Sequence, residues 1–253
     1  MTTVTFLDAL LLVLAGFSAG AINALAGGGT FIVFGALTLV GLPAITANAT
    51  SSIAQFPGYA TSAVAYLHEL REIGLRVVPY ALASIFGGLL GALGLLAIDN
   101  DAFRAVVPWL LIGATTLFAA GPSLTKCLQR REFSAPPMIG WLVQFLVAIY
   151  GGFFGGGMGI MMLASLGLTE NTSDFHRLNA LKTILSTVTA FVTLIVFSSG
   201  GAVAWPQATI MLIAVGIGGY GGVHAARRIP QPLIRAFVVA IGTLLTAYYL
   251  FTD

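Results

Sequence analysis

The apolar residues of this chain come in long, nearly uninterrupted runs, and no other feature restricts its fold as strongly. Ten such segments can be drawn, at about 4–26, 29–41, 46–67, 76–98, 102–120, 137–154, 158–168, 178–198, 205–226 and 231–251. A run of ~20 apolar residues crosses ~30 Å of hydrocarbon as a helix. Inside a bilayer every backbone polar group must find its partner within the protein, so runs of this kind predict helices. Charge content decides against a soluble alternative: 8% of the residues are charged, against roughly 25% in a soluble domain. The expected fold class is therefore all-α integral membrane, with about eight membrane helices and a range of 6–10 set by how the short segments are counted.

The few charges exclude other functions. A net charge of +2 without a clustered basic face does not suit nucleic-acid binding. The one basic cluster, Lys126 with Arg130 and Arg131, sits in a polar linker and reads as a topology signal. The single cysteine, Cys127, forms neither an internal disulfide nor a thiolate metal site. His68, His176 and His224 share no metal spacing with other ligands, so no metal and no cofactor are expected. His68 with Glu69 and Glu72 reads as a solvated loop. No phosphate-binding loop and no glycine-flanked serine elbow is present, and an enzyme is not expected. The first run lacks a basic leader and is expected to be a mature span.

The two halves repeat. From Asn48 onward a shift of 131 residues places Asn48-Ala49 on Asn179-Ala180, Gly87-Gly88 and Gly91 on Gly218-Gly219 and Gly222, and Arg104-Ala105 on Arg235-Ala236. Upstream, a shift of 129 puts Gly27-Gly28 on Gly156-Gly157. The expected units are a first transmembrane repeat at 1–120, a cytoplasmic linker at 121–136 and a second repeat at 137–253. Basic residues favour the cytoplasmic side. Lys126, Arg130 and Arg131, and likewise Arg227 and Arg228, place their loops there. Counting spans then puts the loop from His68 to Arg76 inside and Asp99–Asp101 and Ser199–Ala204 outside. Equivalent loops near 70 and 201 fall on opposite faces, which predicts inverted repeats, each crossing three or five times, with both termini external.

The segments at 29–41 and 158–168 are too short to span as untilted helices, and each follows a glycine triplet, Gly27-Gly28-Gly29 or Gly155-Gly156-Gly157. Short helices after a glycine break suggest re-entrant or discontinuous elements. Paired broken helices in inverted repeats point to a secondary transporter with its site near the midplane. The Gly87-Gly88-x-x-Gly91 pattern reads as close helix packing.

The glycine turns also carry a family resemblance. The stretch from Ala15 to Thr30, AGFSAGAINALAGGGT, resembles the first signature of the TauE/SafE family of sulfite and organosulfonate exporters. Asn48-Ala-Thr-Ser51 after Gly41-Leu-Pro43 resembles its Ala-Thr element. Tyr150-Gly-Gly-Phe-Phe-Gly-Gly-Gly-Met-Gly159 is similar to its second glycine signature, and Asn179-Ala-Leu-Lys182 and Leu233-Ile-Arg235 fit its later elements. Two departures stand out. Many relatives carry an acidic residue where Asn23 stands, and Asn-Lys where Ser51-Ser52 stand. The first change removes a candidate proton carrier and the second an anion contact.

The resemblance implies a secondary transporter in a bacterial-type inner membrane, exporting a small sulfur-containing anion by alternating access of one repeat against the other. A passive anion channel and a non-transporting membrane assembly protein are the alternatives. Implied partners are the small anion, the bilayer, a coupling proton or other ion, and a second copy in a homodimer. An oxyanion is costly to desolvate without donors. Backbone N–H groups at a glycine turn opening a helix supply them, aided by the helix dipole. Gly27, Gly28, Gly29, Gly155, Gly156 and Gly157 are thus the leading contacts, with Asn23 beside the first turn. Asn48, Thr50, Ser51 and Ser52 begin the following helix, and Asn179, Lys182, Thr183 and Ser186 share one face of its counterpart. Lys182 reads either as an intramembrane cation at the site or as a snorkelling lysine. Arg177 reads as a loop charge, and Arg104 and Arg235 as interfacial anchors. Pro57 and Pro108 are expected to bend their helices, and Trp109, Trp141 and Trp205 to sit at the interfaces.

Overall fold

The computed structural model describes residues 4–26, 28–129, 136–170, 175–226 and 230–252. Among them all regular structure is helical: α1 (Phe6–Ala26), α2 (Gly29–Leu39), α3 (Ala44–Ala65), α4 (Leu67–Ile73), α5 (Val77–Leu96), α6 (Asn100–Gln129), α7 (Pro137–Phe153), α8 (Met158–Thr169), α9 (Phe175–Ser199), α10 (Trp205–Ala226) and α11 (Gln231–Phe251). Each apolar segment is one helix. Gly27, Arg130, Arg131, Arg227 and Arg228, and the side chains of Lys126, Cys127, His176 and His224, lie outside the described residues. Among the described residues, five stretches are long and apolar enough to cross a membrane: Phe6–Asn23, Arg71–Leu96, Asn100–Gly121, Arg177–Ser199 and Pro232–Phe251. Shorter apolar stretches lie at Gly29–Leu39, Pro137–Phe153, Met158–Gly167 and Trp205–Gly219.

Helix ends follow local chemistry. Thr5 and Asp8 cap α1 reciprocally: the Asp8 carboxylate accepts from the Thr5 amide at 3.0 Å, and Thr5 Oγ1 accepts from the Asp8 amide at 3.2 Å. Asp99 accepts from the Ala102 amide at the start of α6. Pro43, Pro136 and Pro230 stand just before α3, α7 and α11, where a fixed φ suits entry to a helix. Two differences from expectation concern polar stretches. The loop from His68 to Arg76 is instead α4 followed by a 3-10 turn at Gly74–Arg76, with His68 Nε2 3.4 Å from the exposed Glu72 carboxylate. The i, i+4 spacing of these residues on a helix brings them together. α6 continues through Gln129, so the first half of the expected linker is helix; Ser123 to Gln129 contains no glycine or proline to stop it.

Helix ends gather at two poles. At one, Asn100 Oδ1 accepts from the Ile45 amide, Thr50 Oγ1 accepts from the Ala204 amide, and the Arg104 guanidinium donates to the Thr252 carbonyl at 2.8 Å. At the other, Asn179 donates to the Tyr66 hydroxyl and the Tyr80 hydroxyl donates to Glu170, each at 2.7 Å. Large apolar side chains cover the outside, among them Leu14, Phe17, Leu90, Leu142, Ile213 and Leu244. Trp109, Trp141 and Trp205 are exposed on that same surface.

The most extensive packing crosses between the halves. α1 lies along α10 and α5 lies along α7. Both seams are closed by glycine. A β-carbon on Gly20 would stand 2.2 Å from the Val215 carbonyl oxygen, and one on Gly218 2.1 Å from that of Phe17. In the other seam a β-carbon on Gly91 would stand 2.0 Å from the Ile149 carbonyl oxygen, and one on Gly152 2.3 Å from that of Gly88. Small residues let helix backbones approach and gain dispersion contacts where lipid provides no hydrophobic drive. α3 packs on α10 and α9 on α5, while α3 and α9 face each other.

Candidate functional site

Both expected breaks are present, and they are built alike. Gly28 and Gly157 each precede a short helix in the left-handed conformation, with φ 99° and 78°. A side chain is disfavoured there, so glycine is the residue that turns the chain between α1 and α2 and between α7 and α8.

Their surroundings differ. The Gly28 turn is filled by protein: a β-carbon there would meet the Phe118 ring at 2.7 Å and Val238 at 2.8 Å. Gly29 is pressed against the Ala19 carbonyl of α1, at 2.4 Å by the same measure. The second turn is more open. β-Carbons at Gly155 and Gly157 would have no neighbour nearer than 3.4 Å, although Gly156 is covered by the Phe154 ring. Among the described residues the amide N–H groups of Gly156, Gly157 and Gly159 meet no hydrogen-bond acceptor. They stand at the N-terminal end of α8, where the helix dipole is positive. The Tyr150 hydroxyl donates to the Gly156 carbonyl at 2.6 Å and ties the turn to α7.

Lys182 belongs to this turn. The half-buried side chain passes along the first turn of α8, its Cδ 3.8 Å from the position of a β-carbon on Gly159. It has neither a carboxylate nor a hydrogen-bond partner among the described residues. Neighbours on its helix face pack inward: Thr183 Oγ1 donates to the Asn179 carbonyl, and Ser186 Oγ to the Met162 sulfur at 3.3 Å. Asn179 is engaged with Tyr66.

The Asn48 group makes hydrogen bonds within the protein, while the buried Asn48 Oδ1 meets no partner among the described residues. Asn48 Nδ2 donates to the Phe153 carbonyl at 2.8 Å and so closes the C-terminal end of α7. Thr50 holds the connection between α9 and α10 through the Ala204 amide. Ser51 and Ser52 both donate to the Asn48 carbonyl at 3.0 Å. Asn23 donates to Gln55 Oε1 at 3.4 Å, and the Tyr59 phenol lies toward Asn23 and Thr30. Asn48→Ala is expected to destabilise the protein by about 1–3 kcal/mol, the cost of leaving a buried carbonyl without its donor. Thermal unfolding in detergent measures this, and an unchanged midpoint would refute the capping role.

A cavity of about 20 Å³ lies where α3, α9 and the second turn meet, lined by Thr30, Ser52, Tyr59, Gly151, Gly155, Met158, Thr189, Ala190 and Thr193. Ser52 and Gly155 are the expected site residues that reach it. Thr30, Tyr59, Thr189 and Thr193 were not singled out in the sequence. Their one signal is polarity at helical spacing, as in Thr189 and Thr193, and many other Ser and Thr residues share it.

A family model described as "Sulfite exporter TauE/SafE" matches residues 12–249. A "Probable membrane transporter protein" of Haemophilus influenzae is 30% identical over 234 residues, covering 92% of this chain and 90% of the relative. "Probable membrane transporter protein ORF9" of Sinorhizobium sp is 27% identical, covering 92% and 89%. "Probable membrane transporter protein YfcA" of Escherichia coli K12 is 28% identical, covering 92% and 86%.

Proposed function

The chain belongs to the sulfite exporter TauE/SafE family, a family of multi-pass membrane transporters, and from that premise we propose that it is a secondary transporter exporting a small sulfur-containing anion, of sulfite or organosulfonate type, by alternating access. One observation carries the substrate assignment. The N–H groups of Gly156, Gly157 and Gly159, without acceptors among the described residues, and the aliphatic chain of Lys182 lie together at the N-terminal end of α8. Backbone donors and a cation at a helix N-terminus replace the hydration of an oxyanion. An unpaired lysine inside a membrane protein is costly, and a substrate anion would offset that cost.

The closest helix packing supports a division of the moving parts. The exchange of α5 and α10 between halves groups α1, α2, α3 and α10 as one body and α7, α8, α9 and α5 as another. Each body contains one glycine seam, and the cavity lies between them, with Thr30, Ser52 and Tyr59 from the first and Thr189 and Thr193 from the second. Motion of these bodies, in place of one sequence repeat against the other, would open the site to alternate faces. Inverted repeats fit this picture. The connection following α3 and the one following α9 are equivalent in sequence, and they lie at opposite poles. We take the pole of Tyr66 and Glu170 as cytoplasmic, in keeping with the basic loops. If α2 and α8 are half-length arms that return with α1 and α7 as re-entrant pairs, each half crosses three times, the odd number that inverted repeats require.

Flux in proteoliposomes tests the proposal. Sulfite, thiosulfate, a sulfonate and sulfate are compared with and without a proton gradient. At least one sulfur anion is expected to show saturable flux, and Lys182→Ala to lower that flux about tenfold or more while the protein still inserts, as loss of a charge-assisted hydrogen bond implies. Wild-type vesicles that move none of the four would overturn the substrate class. Unchanged kinetics in the variant would remove Lys182 from the site. Non-saturating, uncoupled flux would indicate a channel.

A further inference from the structure

We propose that the cavity between α3 and α9 is a binding site for a small dehydrated monovalent cation of Na⁺ type, the coupling ion of the transport reading above. The lining brings together five hydroxyl oxygens, from Thr30, Ser52, Tyr59, Thr189 and Thr193, and, among the described residues, no charged side chain. Three of the five have already spent their proton. Ser52 Oγ donates to the Asn48 carbonyl, Thr189 Oγ1 to the Leu185 carbonyl and Thr193 Oγ1 to the Ala190 carbonyl, each at 3.0 Å. A hydroxyl has one proton and two lone pairs. One that donates to its own helix backbone therefore presents acceptors to its surroundings. The lining also includes Gly151, in the last turn of α7, whose carbonyl receives no backbone N–H among the described residues. Carbonyls at that end of a helix carry the negative pole of its dipole. The cavity is thus a cluster of oxygen acceptors, the ligand set of a hard cation.

Size points the same way. About 20 Å³ accommodates one water-sized particle. That suits a bare Na⁺. Proton coupling has no carrier there, because none of the lining residues is a carboxylate or a histidine. The cavity reaches the break between α7 and α8, with Gly151 from the last turn of α7 and Gly155 and Met158 from the turn and the start of α8, while Lys182 lies against Gly159 on α8. One glycine turn would then hold a cation at one helix end and an anion at the other.

This inference rests on the transporter reading, but its test does not need the substrate. The purified full-length protein is melted in NaCl, KCl and choline chloride at equal ionic strength, with no sulfur anion present. NaCl is expected to raise the midpoint by about 5 °C over choline chloride at saturation. Thr189→Val combined with Thr193→Val, which keeps side-chain shape and removes two ligands, should abolish the Na⁺-specific shift. Identical wild-type midpoints in the three salts would overturn the proposal, and so would a shift that survives in the variant. If the variant does not fold, the wild-type comparison alone decides. A Na⁺ shift without flux of any sulfur anion would leave the cation site standing and discard the substrate reading.

Discussion

Replacing Gly91 by alanine is expected to destabilise the protein by about 3 kcal/mol, the upper end for overpacking a well-packed interior. Most overpacked side chains find relief by changing rotamer, but here the obstacle is backbone. The new β-carbon would stand 2.0 Å from the Ile149 carbonyl oxygen and 2.8 Å from the Phe153 nitrogen, both on α7. Relief requires α5 and α7 to separate along their length, with loss of the dispersion contacts that hold them. Gly20→Ala should act alike on the α1–α10 seam, since its β-carbon would stand 2.2 Å from the Val215 carbonyl oxygen. Gly113→Ala on α6 is the control, because nothing lies within 4 Å of the added carbon. There the higher helix propensity of alanine should leave stability unchanged or raise it by up to about 1 kcal/mol. Melting midpoint and monodisperse yield in detergent read the difference. Equal midpoints for Gly91→Ala and Gly113→Ala would show that the seams tolerate separation.

Covalently joining α3 to α9 is expected to stop transport, whereas joining α3 to α10 is expected to leave it. The rings of Phe56 and Phe191 lie 6.1 Å apart where α3 packs on α9, the boundary proposed above between the two bodies. A β-carbon on Gly58 would lie 3.6 Å from Val215 within the first body, an ordinary contact that tolerates substitution. The background is simple to prepare, because Cys127 is the single cysteine. In a Cys127→Ser protein, the pair Phe56→Cys with Phe191→Cys is linked by a short bifunctional maleimide, and the pair Gly58→Cys with Val215→Cys likewise. Flux is compared before and after linking. Alternating access needs relative motion of the surfaces that enclose the site. The first link should therefore block flux almost completely and the second should have little effect. The reverse pattern would move the boundary between the bodies to α3 and α10.

Much of the molecule was legible in the order of its residues. Burying backbone in lipid demands helices, so runs of apolar residues mark the helices directly, and each of the ten segments has its counterpart between α1 and α11. The two glycine turns were legible because a left-handed residue before a helix is a local requirement. Gly28 and Gly157 meet it with nearly the same geometry. Gly87 and Gly91 were legible as packing residues, but nothing local named α7 as the helix they pack against.

Partnership across the chain was not legible. That Asn48, read as a binding residue, also caps α7 through its Nδ2 from a position 105 residues distant was not legible. The Gly27–Gly29 and Gly155–Gly157 turns looked equivalent, yet Phe118 and Val238 fill the first at Gly28 and leave the second as the candidate anion site. Thr189 and Thr193 resemble every other threonine that donates to its own helix. Sequence by itself determined what each segment must be, since helix formation and glycine turns are decided within a few residues. Only the tertiary structure decided that α1 lies along α10 and α5 along α7, across the two halves, and that Gly155 of the second glycine turn lines the cavity. Those outcomes depend on which distant backbones can approach closely enough to touch.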